Sequence, residues 1–355
     1  MPKPICLAVD AMGGDFGPEI NVPGSLVAAR ETGARVILVG NEDAIQAELS
    51  KHRHNDVEIE IVHTTQLAGM AEKPSDILRR KKDSSIQVAF RLVREGRAQG
   101  VVTAGNSGAA LACGMFILGR INGVDRPALA SIMPTLKNPV VLIDVGANAD
   151  CKPYNLVQFG LMADILAKHV LGVVTPKVGI LSIGEEEGKG NSLTKEAHAL
   201  LKSSSLNFIG NVEGRDVFAG NTDVIVCDGF VGNVALKLSE GLGNALASML
   251  RTELKKSIWS RLGTLIALPA FKRFGKKIDY AEYGGALILG LNGIAIVCHG
   301  SSPARAITTA LQQAALFVDK KANEQLVAAL HVNTELSLFS RAGRTLASRQ
   351  EASAL

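Results

Sequence analysis

The stretch VVTAGNSGAA at residues 101–110 is a short apolar run that ends in a glycine-rich polar turn. Five further stretches repeat this pattern: LAVDAMGGD (residues 7–15), VLIDVGAN (141–148), ILSIGEEEGKGN (180–191), VIVCDGFVGN (224–233) and AIVCHGSS (295–302). Such a continuous apolar run is typical of a buried parallel strand. Open α/β sheets bind ligands at the carboxyl ends of their strands. We therefore expect the six turns to meet at one crevice that binds an anion through backbone N–H groups.

Strand-like apolar runs alternate with helical runs along most of the chain, which favours right-handed βαβ crossovers. The sequence predicts a three-layer α/β/α, Rossmann-like fold with a mostly parallel sheet, in a single catalytic domain over residues 1–340. Residues 341–355 are small and polar, and we expect a flexible tail there. Residues 245–283 break the alternation and indicate an inserted pair of amphipathic helices with a break near Pro269.

Composition and missing motifs exclude several classes of protein. Hydrophobic residues make up 47% of the 355 residues, aromatic residues only 4%, and the net charge is +4. Sparse aromatic side chains and the lack of a recognised motif argue against nucleic-acid binding. The five cysteines show no CxxC spacing, which indicates reduced thiols in a cytosolic protein. Because Walker A, GxGxxG, HExxH and GxSxG patterns are absent, we expect no nucleotide cofactor, no metal and no serine nucleophile.

Three of the turns carry the candidate catalytic residues. Lys189 lies between two glycines after three glutamates, where it would neutralise a bound phosphate or a developing oxyanion. A solvated charged loop is the alternative interpretation of that segment. Asn233 would cap its helix or polarise a carbonyl. Asp144 would accept a substrate proton, orient a lysine or simply fix its own loop.

The glycine-rich turns also supply the candidate phosphate-binding residues. A strand that ends where a helix begins presents several backbone N–H groups to one anion. A simple helix N-cap by Asn106 or Ser107 is the alternative for the turn at residues 104–108. The candidates are Asp10, Gly13, Gly14, Gly105, Asn106, Ser107, Gly108, Asn148, Gly232 and His299.

The inserted helices interleave large apolar side chains with lysine and arginine. This pattern favours docking of the insertion on an anionic membrane surface. Packing on its own core or at a dimer interface is the alternative, because amphipathic helices usually face a core. The candidate membrane contacts are Trp259, Leu262, Leu265, Ile266, Leu268 and Phe271.

Several motifs occur in an order that points to one family. VDAMGGD, the basic run at residues 79–82, TAGNSGA, IDVGAN, IGEEEGKGN, CDGFVGN and HGSS resemble the motifs of the bacterial phosphate acyltransferase family, PlsX. The resemblance extends from residue 5 to about residue 318. Thr103 departs from it, since we expect a serine before AGN.

The resemblance implies an enzyme that moves a fatty acyl chain from acyl carrier protein to inorganic phosphate for phospholipid synthesis. It also implies a fold like that of phosphotransacetylases and isocitrate or isopropylmalate dehydrogenases, and no cofactor. A homodimer is expected, associated peripherally with the inner face of the cytoplasmic membrane and linked in function to a membrane glycerol-3-phosphate acyltransferase. The acidic carrier protein becomes the expected partner of the basic run Arg79, Arg80, Lys81 and Lys82.

The expected chemistry is direct attack of phosphate on the thioester, with a stabilised oxyanion and no covalent enzyme intermediate. A phosphotransacetylase and a NAD-dependent dehydrogenase on a related fold are the alternative enzymes. A non-enzymatic adaptor, in which the turns are only structural, is a third alternative.

Overall fold

The structure is a computed structural model that describes residues 4–278 and 283–333. The strands are β1 Cys6–Asp10, β2 Arg35–Gly40, β3 Ile59–His63, β4 Gly100–Thr103, β5 Ala128–Met133, β6 Val140–Ile143, β7 Val178–Leu181, β8 Phe208–Val212, β9 Val224–Val226, β10 Ala286–Leu289 and β11 Ile294–Val297. The helices are α1 Pro18–Thr32, α2 Glu42–Leu49, α3 Pro74–Arg80, α4 Ser85–Arg94, α5 Ser107–Cys113, α6 Pro153–Leu166, α7 Ser192–Lys202, α8 Gly229–Lys255, α9 Ile258–Ile278, α10 Ala304–Asp319 and α11 Ala322–Val332. The tail predicted at residues 341–355 lies outside the described residues.

The described strands form one sheet that is covered by helices on both faces. Successive side chains of a strand point to opposite faces. Accordingly, Leu7 and Val9 of β1 join the core that also contains residues of α1, α6 and α10. Cys6 and Ala8 join the second core, which α4 and α5 cover. The predicted three-layer α/β/α architecture is confirmed.

The sheet is mostly parallel, but its two halves run in opposite directions. The strand order is β3-β2-β1-β4-β11-β10-β5-β6-β9-β7-β8. The pairs β11–β10, β10–β5 and β5–β6 are antiparallel, and the other seven are parallel. Three successive reversals leave β6, β9, β7 and β8 antiparallel in direction to β1, β2, β3, β4 and β11.

This reversal corrects the expectation of one crevice. The carboxyl ends of β1, β4 and β11 lie at one edge of the sheet, which we call the first edge. The carboxyl ends of β6, β7 and β9 lie at the opposite, second edge. Within one chain the six predicted turns therefore form two groups of three.

The insertion is a helical pair, as predicted, but its break is elsewhere. Helices α8 and α9 meet at residues 256–257, where Ser257 Oγ accepts a hydrogen bond from the N–H of Ser260 over 3.0 Å. Pro269 lies inside α9, so the predicted break at this residue is wrong. No helix in the described parts of the chain is long and apolar enough to cross a membrane.

Candidate functional site

The second edge brings together three loops that carry the predicted catalytic residues. Strands β6, β9 and β7 are neighbours in the sheet, so the loops that follow them are adjacent. Gly232 in the first turns of α8 packs so closely on the loop after β6 that a Cβ there would lie 1.9 Å from the carbonyl oxygen of Asp144. The side chain of Asn233 lies beside Gly146 of the same loop. The loop after β7 carries Lys189.

Asp144 is fully buried and has its carboxylate saturated with hydrogen bonds. Its Oδ1 accepts from the backbone N–H groups of Leu129, Gly146 and Ala147 at 2.9–3.1 Å. Its Oδ2 accepts from the backbone and side-chain nitrogens of Asn148, both at 2.8 Å. Burial raises the pKa of Asp144 above that of an ordinary aspartate, and the five N–H donors oppose this rise while they hold the carboxylate in place. This geometry favours the loop-fixing role over proton transfer or the orientation of a lysine.

Asn148, a predicted phosphate ligand, has a similar role in holding this loop. Its Nδ2 donates to Asp144 and also to the carbonyl oxygen of Pro127, at 2.8 Å each. Both hydrogens of the side-chain amide are thereby used within the protein. The amide consequently has no hydrogen left to donate to an anion in this arrangement.

Asn233 does not cap α8, because Asp228 does. The carboxylate of Asp228 accepts hydrogen bonds from the N–H groups of Phe230 and Val231, at 3.0 and 2.9 Å. Asn233 lies one turn further along the helix and is exposed. The capping alternative for Asn233 is thus wrong, whereas its amide remains free to face a substrate carbonyl.

Lys189 is exposed on a loop whose shape is fixed by its neighbours. Its own N–H donates to the carbonyl oxygen of Glu186 over 2.9 Å and closes a turn. Gly184 lies under its aliphatic chain, since a Cβ there would be 2.9 Å from Lys189 Cγ. Glu185 pairs with Arg215 at 3.0 Å and Glu187 with Lys202 at 3.1 Å. No carboxylate of residues 4–278 or 283–333, Glu186 included, forms an ion pair with Lys189, which leaves its ammonium group available to an anion.

A groove of about 390 Å³ lies between the loop that carries Lys189 and the start of α8. Its walls are mostly apolar, and four of its ten lining residues are polar: Ser182, Asn191, Thr194 and Asp228. The lining residues are Leu156, Leu181, Ser182, Ile183, Gly190, Asn191, Thr194, Cys227, Asp228 and Val231. The groove is not predictable from the apolar runs, which indicate buried strands, because its lining comes from several elements.

The nucleophilic side chains in and near the groove are not activated. Burial raises the pKa of the Cys227 thiol well above its ordinary value, and burial raises that of the neighbouring Cys151 to about 12. Both thiols are therefore protonated at neutral pH, and the thiolate is the reactive form. Ser182 Oγ is buried with no hydrogen-bond partner in the part of the chain that the structure describes, so no base deprotonates it.

The first edge brings together the turns after β1, β4 and β11. Asp10 is buried, and its Oδ2 accepts a hydrogen bond from Thr103 Oγ1 at 2.7 Å. Burial raises the pKa of Asp10 above that of an ordinary aspartate. A Cβ on Gly13 would lie 2.7 Å from that carboxylate and 2.8 Å from the backbone nitrogen of Gly105. Glycine at residue 13 is required by this close approach of two loops.

Three further candidates at the first edge, Gly14, Asn106 and Gly108, are also held by contacts within the protein. Gly14 packs on the carbonyl oxygen of Gly300 and has a φ of +87°, which favours glycine. Asn106 caps α5 through the N–H of Ala109, and its Nδ2 donates to the carbonyl oxygens of Met70 and Glu72. Gly108 lies against Pro74 of α3. Ser107 and His299 are exposed, and His299 Nδ1 lies 2.8 Å from Ser301 Oγ.

In three of the six turns a side chain caps the following helix and uses N–H groups that the sequence analysis assigns to an anion. Asn106, Asn191 and Asp228 each accept a hydrogen bond from the first turn of the helix that follows them. The N-cap alternative is therefore the correct one for Asn106. Because capping removes helix donors, an exposed cation such as Lys189 becomes more important for binding an anion at the second edge.

The basic run at residues 79–82 lies next to the first edge, since α3 packs on α5. Arg79, Arg80 and Lys82 are exposed. Lys81 differs from them: its Nζ pairs with Glu72 Oε1 at 2.5 Å and donates to the carbonyl oxygen of Leu67. Three of the four cations are thus free to meet an acidic partner. No three His, Cys, Asp or Glu side chains cluster as a metal site within residues 4–278 and 283–333.

Comparison with known proteins gives a consistent result over nearly the whole chain. A family model described as fatty acid synthesis protein matches residues 5–325. A phosphate acyltransferase of Nitratidesulfovibrio vulgaris (strain DP4) is 60% identical over 339 residues, which are 95% of this chain and 98% of the relative. One from Lawsonia intracellularis (strain PHE/MN1-00) is also 60% identical, over 94% of this chain and 97% of its own.

Solved structures support the fold. A phosphotransacetylase from Streptococcus pyogenes superposes with a TM-score of 0.62 at 16% identity, over 90% of this chain and 95% of its own. A branched-chain phosphotransacylase from Enterococcus faecalis V583 gives a TM-score of 0.52 at 14% identity, over 88% and 99%. The predicted resemblance to the phosphotransacetylase fold is confirmed.

Proposed function

The chain belongs to the fatty acid synthesis protein family and is a phosphate acyltransferase, and from this premise we propose that it moves a fatty acyl group from the thioester of an acyl carrier protein to inorganic phosphate. The observation that carries the proposal is the apolar groove that adjoins the loop of Lys189 at the second edge. An apolar groove suits a fatty acyl chain, and an adjacent cation suits phosphate or an oxyanion.

In the proposed reaction a phosphate oxygen attacks the thioester carbon, and the carbon–sulfur bond then breaks to release the carrier thiol. Phosphate is partly dianionic near neutral pH, so it needs no activation by a base. Lys189 stabilises the negative charge on phosphate or on the tetrahedral oxyanion, and Asn233 polarises the carbonyl. A covalent acyl-enzyme is not required, because the thiols of Cys151 and Cys227 are protonated and Ser182 lacks a base.

The direct test is thiol release from a long-chain acyl carrier protein, with acyl-CoA and acetyl-CoA as parallel donors. Phosphate is added or replaced by chloride at constant ionic strength, and acyl-phosphate is trapped with hydroxylamine. We expect thiol release that depends on phosphate and favours the long-chain carrier protein. Preference for acetyl-CoA would support a phosphotransacetylase instead, and a change in nicotinamide absorbance a dehydrogenase. Thiol release that is independent of phosphate would contradict the proposal.

We further propose that the basic run docks the carrier protein. Changing Arg79 and Arg80 to glutamate should raise the KM for acyl carrier protein about tenfold at low salt, because like charges then repel the acidic carrier. The difference should shrink as salt screens the charges. Arg94→Glu, an exposed site on α4, is the control, and acyl-CoA is the control donor. An unchanged KM at low salt would exclude this docking site.

Helices α8 and α9 each have an exposed apolar face, and we propose a different occupant for each. On α8, apolar side chains recur every three or four residues over about 27 Å of helix. They are Val231, Val234, Leu238, Leu242, Leu246 and Met249, between 38% and 68% exposed. This stripe begins at the groove, and we assign it to a second copy of the chain. Eight of the ten predicted phosphate ligands lie at the first edge, opposite Lys189, and Asn148 and Gly232 lie at the second edge. The eight would reach the same substrate as Lys189 only in such a homodimer.

The second face is on α9, where we propose contact with the inner surface of the membrane. Trp259, Leu262, Leu265, Ile266 and Leu268 are exposed, as membrane contact requires, whereas Phe271 is half-buried. Arg261, Lys272 and Arg273 on the same helix would attract anionic headgroups. Acyl-phosphate released there would reach the membrane glycerol-3-phosphate acyltransferase without crossing water.

The two faces predict different outcomes for two double variants. Leu265→Glu with Leu268→Glu should lower binding to anionic phospholipid vesicles at least tenfold and leave the dimer intact, because charged side chains resist burial in lipid. Leu242→Glu with Leu246→Glu should give monomers in sedimentation velocity and reduced turnover. Each variant is the control for the other. Vesicle binding that survives the α9 changes, or dimers that survive the α8 changes, would contradict the corresponding assignment.

A further inference from the structure

A buried polar pair lies behind the loop that carries Lys189. His198 of α7 and Asn211 of β8 are 6% and 7% exposed. His198 Nδ1 lies 3.0 Å from Asn211 Oδ1, and Asn211 Nδ2 donates to the carbonyl oxygen of Glu186 at 2.8 Å. Because Nδ2 is the donor to Glu186, Asn211 Oδ1 is the acceptor and His198 Nδ1 carries the proton. The pair is a directed chain of two hydrogen bonds that ends on the loop.

The carbonyl of Glu186 is also the group that sets the position of Lys189. It accepts the N–H of Lys189 at 2.9 Å and so closes the turn over residues 186–189. The carbonyl oxygen of Glu186 therefore accepts hydrogen bonds from both Asn211 and Lys189, so that Asn211 is linked to both ends of the turn. If Glu186 moves, Lys189 moves with it.

The backbone of β8 is shaped to place Asn211 there. Its register with β7 shifts after Val178, so that Gly179 pairs with Gly210 and Ile180 with Asn211. Gly210 has a φ of +102°, a conformation that favours glycine. An irregularity of this kind re-aims the side chains that follow it. The ring of His198 is fixed in turn by edge-on packing against Phe208, with centroids 5.0 Å apart.

The exposed ion pairs of the loop are weaker contacts, and His198 adds a second contact of its own, because its Nε2 lies 3.6 Å from Glu187 Oε1. The ion pairs of Glu185 with Arg215 and of Glu187 with Lys202 join side chains that are 63–70% exposed. Exposed pairs of this kind contribute about 0–1 kcal/mol. A buried polar group, in contrast, is costly when it loses its partner, so the His198–Asn211 pair has one strongly preferred arrangement. The buried pair, rather than the ion pairs, fixes the turn.

We propose that His198 and Asn211 are positioning residues for acyl transfer, which hold the turn of Glu186 so that the Lys189 ammonium faces the reacting groups. The inference rests on the proposed function, in that Lys189 acts on phosphate or the oxyanion. A displacement of about 1 Å at a catalytic group can cost up to a hundredfold in rate. Loss of the pair should therefore lower kcat without changing the fold.

The test combines amide hydrogen exchange with a double-mutant cycle. In His198→Phe with Asn211→Leu, which replaces the pair by apolar side chains, the Lys189 N–H should exchange at least tenfold faster than in the full-length wild type. Phosphate-dependent kcat should fall about tenfold. In the Lys189→Ala background the same double change should lower kcat no further, because its effect acts through Lys189.

Two controls separate positioning from general damage. Lys202→Met removes an exposed contact of the same loop, and Thr308→Val removes a buried hydrogen bond between α10 and α1. Neither should change the exchange of Lys189. Unchanged exchange in the double variant, or an equal loss of kcat in both backgrounds, would overturn the inference. If the wild type itself shows no phosphate dependence, the proposed function fails, while hydrogen exchange still decides whether the pair holds the turn.

Discussion

Replacing Lys189 by alanine is expected to lower the kcat of phosphate-dependent acyl transfer about 10²- to 10³-fold, the typical cost of removing one oxyanion-stabilising group. The side chain is exposed, and it forms no ion pair with a carboxylate of the described residues, so its loss should leave the thermal midpoint within about one degree. The measurement is the initial rate of thiol release at saturating acyl carrier protein, with phosphate varied.

The division between kcat and KM distinguishes the two roles considered for Lys189. Stabilisation of the oxyanion occurs only in the transition state and affects kcat alone, whereas binding of ground-state phosphate affects its KM. Lys195→Ala is the matched control, because Lys195 is also exposed and lies six residues away on α7. If Lys189→Ala retains wild-type kcat and wild-type KM for phosphate, Lys189 has neither role.

The layers of the fold could be predicted from the sequence, but the division of the site could not. Runs such as that before Asp144 are apolar on both faces, which is sufficient to predict a covered sheet. The direction of each strand, in contrast, depends on the connection that joins it to the next strand. Strand β5 is not among the six apolar runs quoted above, because its ALASIM contains small residues and no glycine-rich turn follows it. The sequence does indicate one of the reversals in strand direction. Residues 290–293, which connect β10 to β11, are too few for a crossover helix, so these two strands must be antiparallel.

The roles of the polar residues in the turns were the least predictable part of the site. Asn106, Asn191 and Asp228 follow strands and precede helices, and that position suits both a cap and a ligand. The choice depends on whether the helix N–H groups are closer to the side chain or to a bound anion, which sequence does not encode. Likewise, nothing near Asn211 in sequence indicates its contact with Glu186, since 25 residues separate them.

Gly232→Ala is expected to lower the free energy of unfolding by about 3 kcal/mol, at the upper end of the cost of overpacking. A Cβ at residue 232 would lie 1.9 Å from the carbonyl oxygen of Asp144 and 2.8 Å from Cys227 Sγ. The first of these atoms belongs to the backbone and cannot rotate away. The start of α8 must therefore move off the loop after β6, and Asn233 moves with it. Urea denaturation measures the loss, and the rate of acyl transfer should fall in parallel.

Gly243→Ala is the matched control, because it makes the same change in the same helix with the opposite expected sign. Residue 243 is exposed, and apart from its chain neighbours and the nearby backbone of α8 no atom of the described residues lies within 4 Å of the added Cβ. Alanine in a helix interior is more stabilising than glycine by about 0.5–1 kcal/mol, so this variant should have a slightly higher free energy of unfolding than the wild type. If both variants changed stability alike, helix propensity rather than the contact with Asp144 would explain Gly232. A fully stable Gly232→Ala would show that α8 does not pack on this loop as described.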